Sequence, residues 1–248
     1  IVDIKLFIVI NAVSFLISGI SQAFIDFNIN TKPSVKEKGN IKIIEDIKEG
    51  FVYLVEHKKL MNIIIIFINI NFFLCLSVSV PLPYIINTVL KLSARDFGII
   101  EGAFPVGMII GAMFVSRIFE KISYNKLITI MSILLGAASI LIGIPTLVYS
   151  SSVNSIVFVI YFVFVAGGIG IVLSLIDLPI IYMLQNIVSD EFRGRVMSTT
   201  ICVAKAVAPL SLLLSGILLN KVPSYFISII GGIGLILSSL ICYRRMKS

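Results

Sequence analysis

An all-α integral membrane protein, built as a bundle of seven transmembrane helices, is the fold that this sequence predicts. Three observations predict it. Hydrophobic residues make up 58% of the 248 and charged residues only 13%, with a mean hydropathy of +1.09. Soluble domains run near 45–50% and about 25% on the same measures, and a globule of this size cannot hide so much apolar surface from water. Seven stretches reach the length of about 20 apolar residues that a bilayer-crossing helix needs. The basic residues, 20 Lys and Arg against 13 Asp and Glu, gather in alternate connections, as they do around membrane spans.

The spans cover about 6–25, 60 to the high 80s, 97–116, 127–149, 154–188, 196–219 and 222–243. Only helices or closed barrels satisfy every backbone group in hydrocarbon, and the strict alternation of a barrel strand is missing. Pro81 and Pro83 interrupt the second span. Pro179 and Pro209 leave carbonyls unpaired on the fifth and sixth and allow bends there.

Between the first two spans lies the only sizeable polar segment, residues 30–59. NTKPSVKEKGN opens it as a loop. IKIIEDIKEGFVYLVEHKKL then sets Ile44, Ile47, Phe51 and Leu54 at helical spacing with charges between them, the pattern of a helix lying on the inner membrane face. Fifteen lysines and arginines fall on the side of this loop and of the C-terminus; Lys5, Lys91, Arg95 and Lys221 fall on the other. That bias places the loop and the C-terminus in the cytoplasm. The chain then starts outside, with neither an initiator Met nor a signal-peptide pattern, and we read it as the C-terminal part of a longer protein.

Charges within spans cost about 2.5–3.5 kcal/mol each at mid-membrane on insertion scales, so they face a cavity or a partner. Glu101 lies on the third span, Asp177 on the fifth and Lys205 on the sixth, while the second carries Asn69 and Asn71. The fourth and seventh spans hold no ionisable residue and read as lipid-facing packing. Asp177 and Lys205 lie equally far from the tight turn near Glu191, which at 1.5 Å per residue puts both near the bilayer centre. A counter-ion pair across this hairpin is the simplest way to keep the ammonium; such a pair either fixes helix packing or handles substrate and protons. Glu101 sits one to two turns inside the outer surface and either faces water or titrates in coupling, whereas Ser93 and Asp96 form a capping pair.

Other features exclude other chemistries. AGGIG (166–170) and IGGIG (230–234) have the glycines of nucleotide loops, but no strand precedes them. They read as close helix contacts, with Gly167 and Gly168 in the first run and Gly107 and Gly111 on the third span as small-residue faces. Cys75, Cys202 and Cys242 are far apart and form no metal-ligand spacing. His57 is the single histidine, so no histidine-containing catalytic constellation with a second histidine can form. We expect no enzyme activity, no cofactor, no metal and no nucleic-acid partner.

Three stretches are familiar: EDIKEGFVYLVEHKKL before a span, PLPYIINTVLKLSARDFGIIEGAFPVGMIIGAMFVSRIFEK, and LQNIVSDEFRGRVMST. Together they resemble the C-terminal portion of the major facilitator superfamily, nearest to the bacterial branch of macrolide-efflux and enterobactin-export proteins. The resemblance implies that residues 1–29 are the last helix of an N-terminal bundle, 30–59 the cytoplasmic central loop with its amphipathic helix, and 60–248 the C-terminal six-helix bundle. It implies a secondary transporter of the bacterial plasma membrane, C-terminus inside. Such a protein would export small amphipathic compounds against inward proton movement, and its N-terminal bundle would lie outside this sequence. Asp177, Lys205, Glu101, Asn69 and Asn71 would then line the path. Arg193, Gly194 and Arg195, in the R-G-R turn, would act at the cytoplasmic gate together with Arg117. The G-x-x-x-D-R loop of the superfamily is matched only loosely after the third span, where Arg117 and Lys121 occur without the Asp. A non-transporting membrane scaffold, or an orphaned half-transporter, is the rival reading.

Overall fold

The computed structural model describes residues 4–24, 43–119, 122–147 and 154–247, and every regular element among them is a helix. The polar stretch 30–40, Lys121 and the side chain of Ile44 lie outside the described residues. The chain divides into two compact units, Ile1–Lys42 and Ile43–Ser248. The first holds α1 (Ile4–Ala23), where Ser14 returns its hydroxyl to the Asn11 carbonyl at 2.8 Å. This local bond lets a polar side chain sit in an apolar helix.

The second unit begins with α2 (Ile43–Glu56). The second predicted span follows as a broken rod: α3 (Lys58–Leu74), a π-helical stretch Cys75–Ser79, α4 (Pro81–Tyr84) and a second π-helical stretch Ile85–Val89. Then come α5 (Ala94–Phe119), α6 (Tyr124–Leu147), α7 (Ser155–Ile187), α8 (Asp190–Ala206), α9 (Ala208–Leu219) and α10 (Ser224–Lys247). With α1, the described residues contain seven helical stretches long and apolar enough to cross a membrane, as the sequence predicts. The Ser93–Asp96 cap forms at the start of α5, with the Ser93 hydroxyl 2.7 Å from the Asp96 carboxylate and the Asp96 amide returning to Ser93 at 3.2 Å.

The prolines explain both the breaks and the cross-links. A proline lacks the N–H that would bond the carbonyl four residues earlier, and in lipid that carbonyl must find another donor. Pro81 frees the carbonyl of Ser77, which accepts the hydroxyl of Ser228 on α10 at 3.1 Å. Pro145 frees that of Leu141, which accepts the Tyr161 hydroxyl from α7 at 2.6 Å. In the same π-helical stretch Leu76 accepts from Ser215 of α9 at 2.9 Å. Pro209 ends α8 and restarts the rod as α9 beyond Val207. Pro179, by contrast, sits inside an unbroken α7, so the bend it could permit does not become a break.

Small residues set the pairing of the rods. α5 lies along α7 and α6 along α10, and α6 also touches α7. A methyl group added to Gly107 would overlap the Gly167 carbonyl, one added to Gly111 would overlap Ser174, and one added to Gly170 would overlap Phe104. The backbones therefore approach as closely as small-residue interfaces allow. Gly168 differs from the expected pattern, since a side chain there would meet nothing within 4 Å; Gly170, a little over half a helical turn further on, faces the neighbour instead. The second glycine run works similarly, with Gly231 against Ser77, Gly232 against the Gly136 carbonyl and Gly234 against the Phe73 ring.

The fourth span corrects an expectation. Half of the most apolar window of α6 is buried within the bundle, against 17% for α5 and for the α8–α9 rod. Lack of charge does not make a helix peripheral: the small residues Ser132, Gly136, Ser139 and Gly143 sink α6 between α7 and α10. Within the second unit the helices carrying Glu101 and Lys205 are the least covered.

Candidate functional site: a lysine at a broken helix end

Lys205 occupies the last turn of α8, where the aligned peptide dipoles give the helix end a partial negative charge that favours a cation. Pro209 creates that end. The Lys205 ammonium donates to the side-chain oxygen of Asn71 at 3.1 Å, linking α8 to α3 across 134 residues of sequence. Asn71 is buried, 6% exposed, and its amide nitrogen donates to the Phe67 carbonyl at 2.9 Å. That second bond fixes the amide with its oxygen toward the lysine. Asn69, two residues away, returns to its own helix at Ile65, 3.2 Å, and takes no part in this contact.

The pairing of Lys205 with Asp177 is therefore not the contact the sequence suggests. Equal depth on a hairpin fixes height but not the direction in which a side chain points. Asp177 is half-buried on α7, and among the described residues the two form no ion pair. An ammonium held by a neutral amide beside a broken helix end links the second span to the sixth.

Glu101 belongs to a second feature. It lines a cavity of about 390 Å³ between the broken second span, α5 and α7, whose walls include Leu74, Val78, Leu82, Phe97 and Phe104. Phe97, Glu101 and Phe104 share one face of α5 by their spacing, so a single carboxylate stands between two aromatic rings in a recess whose other polar side chain is Ser79. The break at Pro81 and Pro83 shapes the opposite wall, since Pro83 also lines it.

At the end of the bundle that carries the R-G-R turn, the two arginines have different tasks. Arg193 forms an ion pair with Asp190 at 2.5 Å and donates from Nε to the Gln185 carbonyl at 3.1 Å, closing the turn between α7 and α8. Arg195 forms an ion pair with Glu49 of α2. Gly50 lies beside the Arg195 carbonyl and the Thr199 hydroxyl with no room for a methyl group. Tyr53 stacks on Phe192 at 5.1 Å and on His57 at 4.2 Å. Glu49, Gly50 and Tyr53 thus belong to this clamp although the sequence reading passed over them; a Gly in mid-helix, one turn before Leu54 on the same face, was the available signal. Of that stripe, Leu54 is buried in the bundle while Ile47 and Phe51 remain about half exposed. Gly194 meets nothing within 4 Å. Arg117, exposed in the last turn of α5, forms no hydrogen bond or ion pair with another described residue.

A bundle of apolar rods, broken where polar groups cross-link it, defines an integral membrane protein rather than a soluble binding module. The chain belongs to the transmembrane secretion effector family of the major facilitator superfamily, whose model matches residues 4–247. It is similar to YfmI of Bacillus subtilis (strain 168), described as an uncharacterized MFS-type transporter. The two are 28% identical over 204 residues, which cover 82% of this chain and 48% of that protein. The chain thus spans about half the length of the curated relative it matches. No solved structure matches it.

Proposed function

We propose that this chain forms the C-terminal half of a secondary transporter that exports small amphipathic compounds, drugs or siderophores among them, driven by inward proton movement. The observation that carries the reading is the Lys205–Asn71 contact near the bilayer centre, a polar junction between two rods that a purely structural bundle could fill with apolar side chains at lower cost. In alternating access two bundles rock about such a mid-membrane site. Lys205, Asn71, Asp177 and Glu101 line this half of the path, with Asn69 beside them. Arg193, Gly194 and Arg195, with Arg117, work at the cytoplasmic gate, and the C-terminus lies inside the bacterial plasma membrane.

Residues 43–56 support this arrangement, since α2 is clamped to the start of α8, the rod whose far end holds Lys205. A movement of α8 relative to α7 must therefore carry the surface helix with it or break the clamp. The test is accumulation of erythromycin and of a catecholate siderophore in cells with and without the gene. Lower accumulation of either compound, restored by a proton uncoupler and by Lys205→Met, is the expected result. Unchanged accumulation of both compounds favours the non-transporting scaffold.

A further inference from the structure

We infer that the Lys205 ammonium, steadied by Asn71, binds an anionic oxygen of the transported compound, so that the preferred cargo is an amphipathic molecule bearing a carboxylate or a comparable oxyanion. This rests on the transporter reading above and deepens it.

Three features of the geometry point there. First, Lys205 has three N–H donors and gives one of them to Asn71 at 3.1 Å; no other acceptor for it lies among the described residues. Second, the partner is a neutral amide locked by its own bond to Phe67, so it orients the ammonium without cancelling its charge. Third, Lys205 is exposed on α8, one of the least covered rods, while Asn71 behind it is buried. Among the described residues the charge is thus anchored on one side and open on the other. An open ammonium at this depth cannot face acyl chains; it faces water or a counter-ion. Glu101 lies in the separate apolar cavity, whose lining includes neither Lys205 nor Asn71. A cargo with an anionic head and an aromatic or aliphatic body suits the pair of features.

The test uses the purified protein in lipid nanodiscs and two probes of the same shape, salicylate and its neutral isostere salicylamide, measured by equilibrium dialysis. Salicylate is expected to bind saturably, at least about tenfold tighter than salicylamide, a margin of the size that charge-assisted hydrogen bonds supply. Lys205→Met removes the preference. Asn71→Asp keeps the lysine but gives it a resident carboxylate, and weakens salicylate by about tenfold or more while leaving salicylamide unchanged. Equal binding of the two probes, no saturable binding of either, or a salicylate preference that survives both Lys205→Met and Asn71→Asp overturns the inference. Export is read separately by the accumulation experiment, so equal probe binding beside uncoupler-sensitive export would remove the anion site and leave the transporter.

Discussion

At the residue scale, the molecule is governed by what proline removes. Each proline inside a span leaves one carbonyl without its helical donor, and two of those carbonyls meet hydroxyls from neighbouring rods, Ser77 with Ser228 and Leu141 with Tyr161. Interhelical hydrogen bonds in membranes average about 0.6 kcal/mol and reach about 1.7, so each is a modest stabiliser with a specific address. Tyr161→Phe is expected to cost about 0.5–1.5 kcal/mol in the wild-type background, measured by reversible unfolding in mixed micelles. In a Pro145→Ala background the backbone recovers its own donor for Leu141, and the same Tyr161 change should cost clearly less. An additive pair of costs would show that the tyrosine is not answering the proline. The same logic explains why Lys205 was only half legible. A lysine four residues before a proline announces a helix end that welcomes a cation, whereas its contact with Asn71 depends on the rotation of two rods that sequence spacing does not reveal.

At the scale of elements, α2 shows how one helix can serve two surfaces. Leu54 and Gly50 face the bundle and Ile47 and Phe51 remain open, so the predicted apolar stripe divides between protein and the membrane face. The clamp to α8 combines a half-exposed ion pair, worth below about 1 kcal/mol, with a close approach at Gly50 that a larger residue cannot share. Glu49→Arg is therefore expected to raise hydrogen exchange across residues 47–56 by less than about fivefold, with recovery in the Glu49→Arg, Arg195→Glu exchange of charges. Gly50→Val should raise it much more, because it separates the helix from the Arg195 backbone altogether. If Glu49→Arg frees the helix as fully as Gly50→Val, the ion pair rather than the close approach holds the clamp. Span positions were legible because apolar length alone decides them: the second reads as 60 to the high 80s and runs Leu60–Val89. The π-helical stretch Cys75–Ser79 within it was not, since the hydroxyls that its carbonyls accept, from Ser215 and Ser228, are supplied by rods more than a hundred residues away.

For the whole molecule, the division of labour among rods follows from which faces must stay open. Tight glycine contacts bind α5 to α7 and α6 to α10, while α5 and the α8–α9 rod keep most of their surface uncovered. Sequence polarity singled out α5 and α8 for their charges and misjudged α6, because the absence of charge does not distinguish a lipid face from a small-residue contact. The central claim is that the uncovered face of α8 around Lys205 meets water, whereas positions such as Leu213 on α9 meet lipid. The direct measurement replaces the three native cysteines and places single cysteines at Lys205, Asn71 and Leu213 in turn. Each variant in native membranes is then reacted with a membrane-impermeant thiosulfonate and with a lipid-soluble maleimide. Modification of the cysteine at 205 by the impermeant reagent, with the one at 213 reached only by the maleimide, is the predicted result. A cysteine at 205 reached only through lipid would contradict the account.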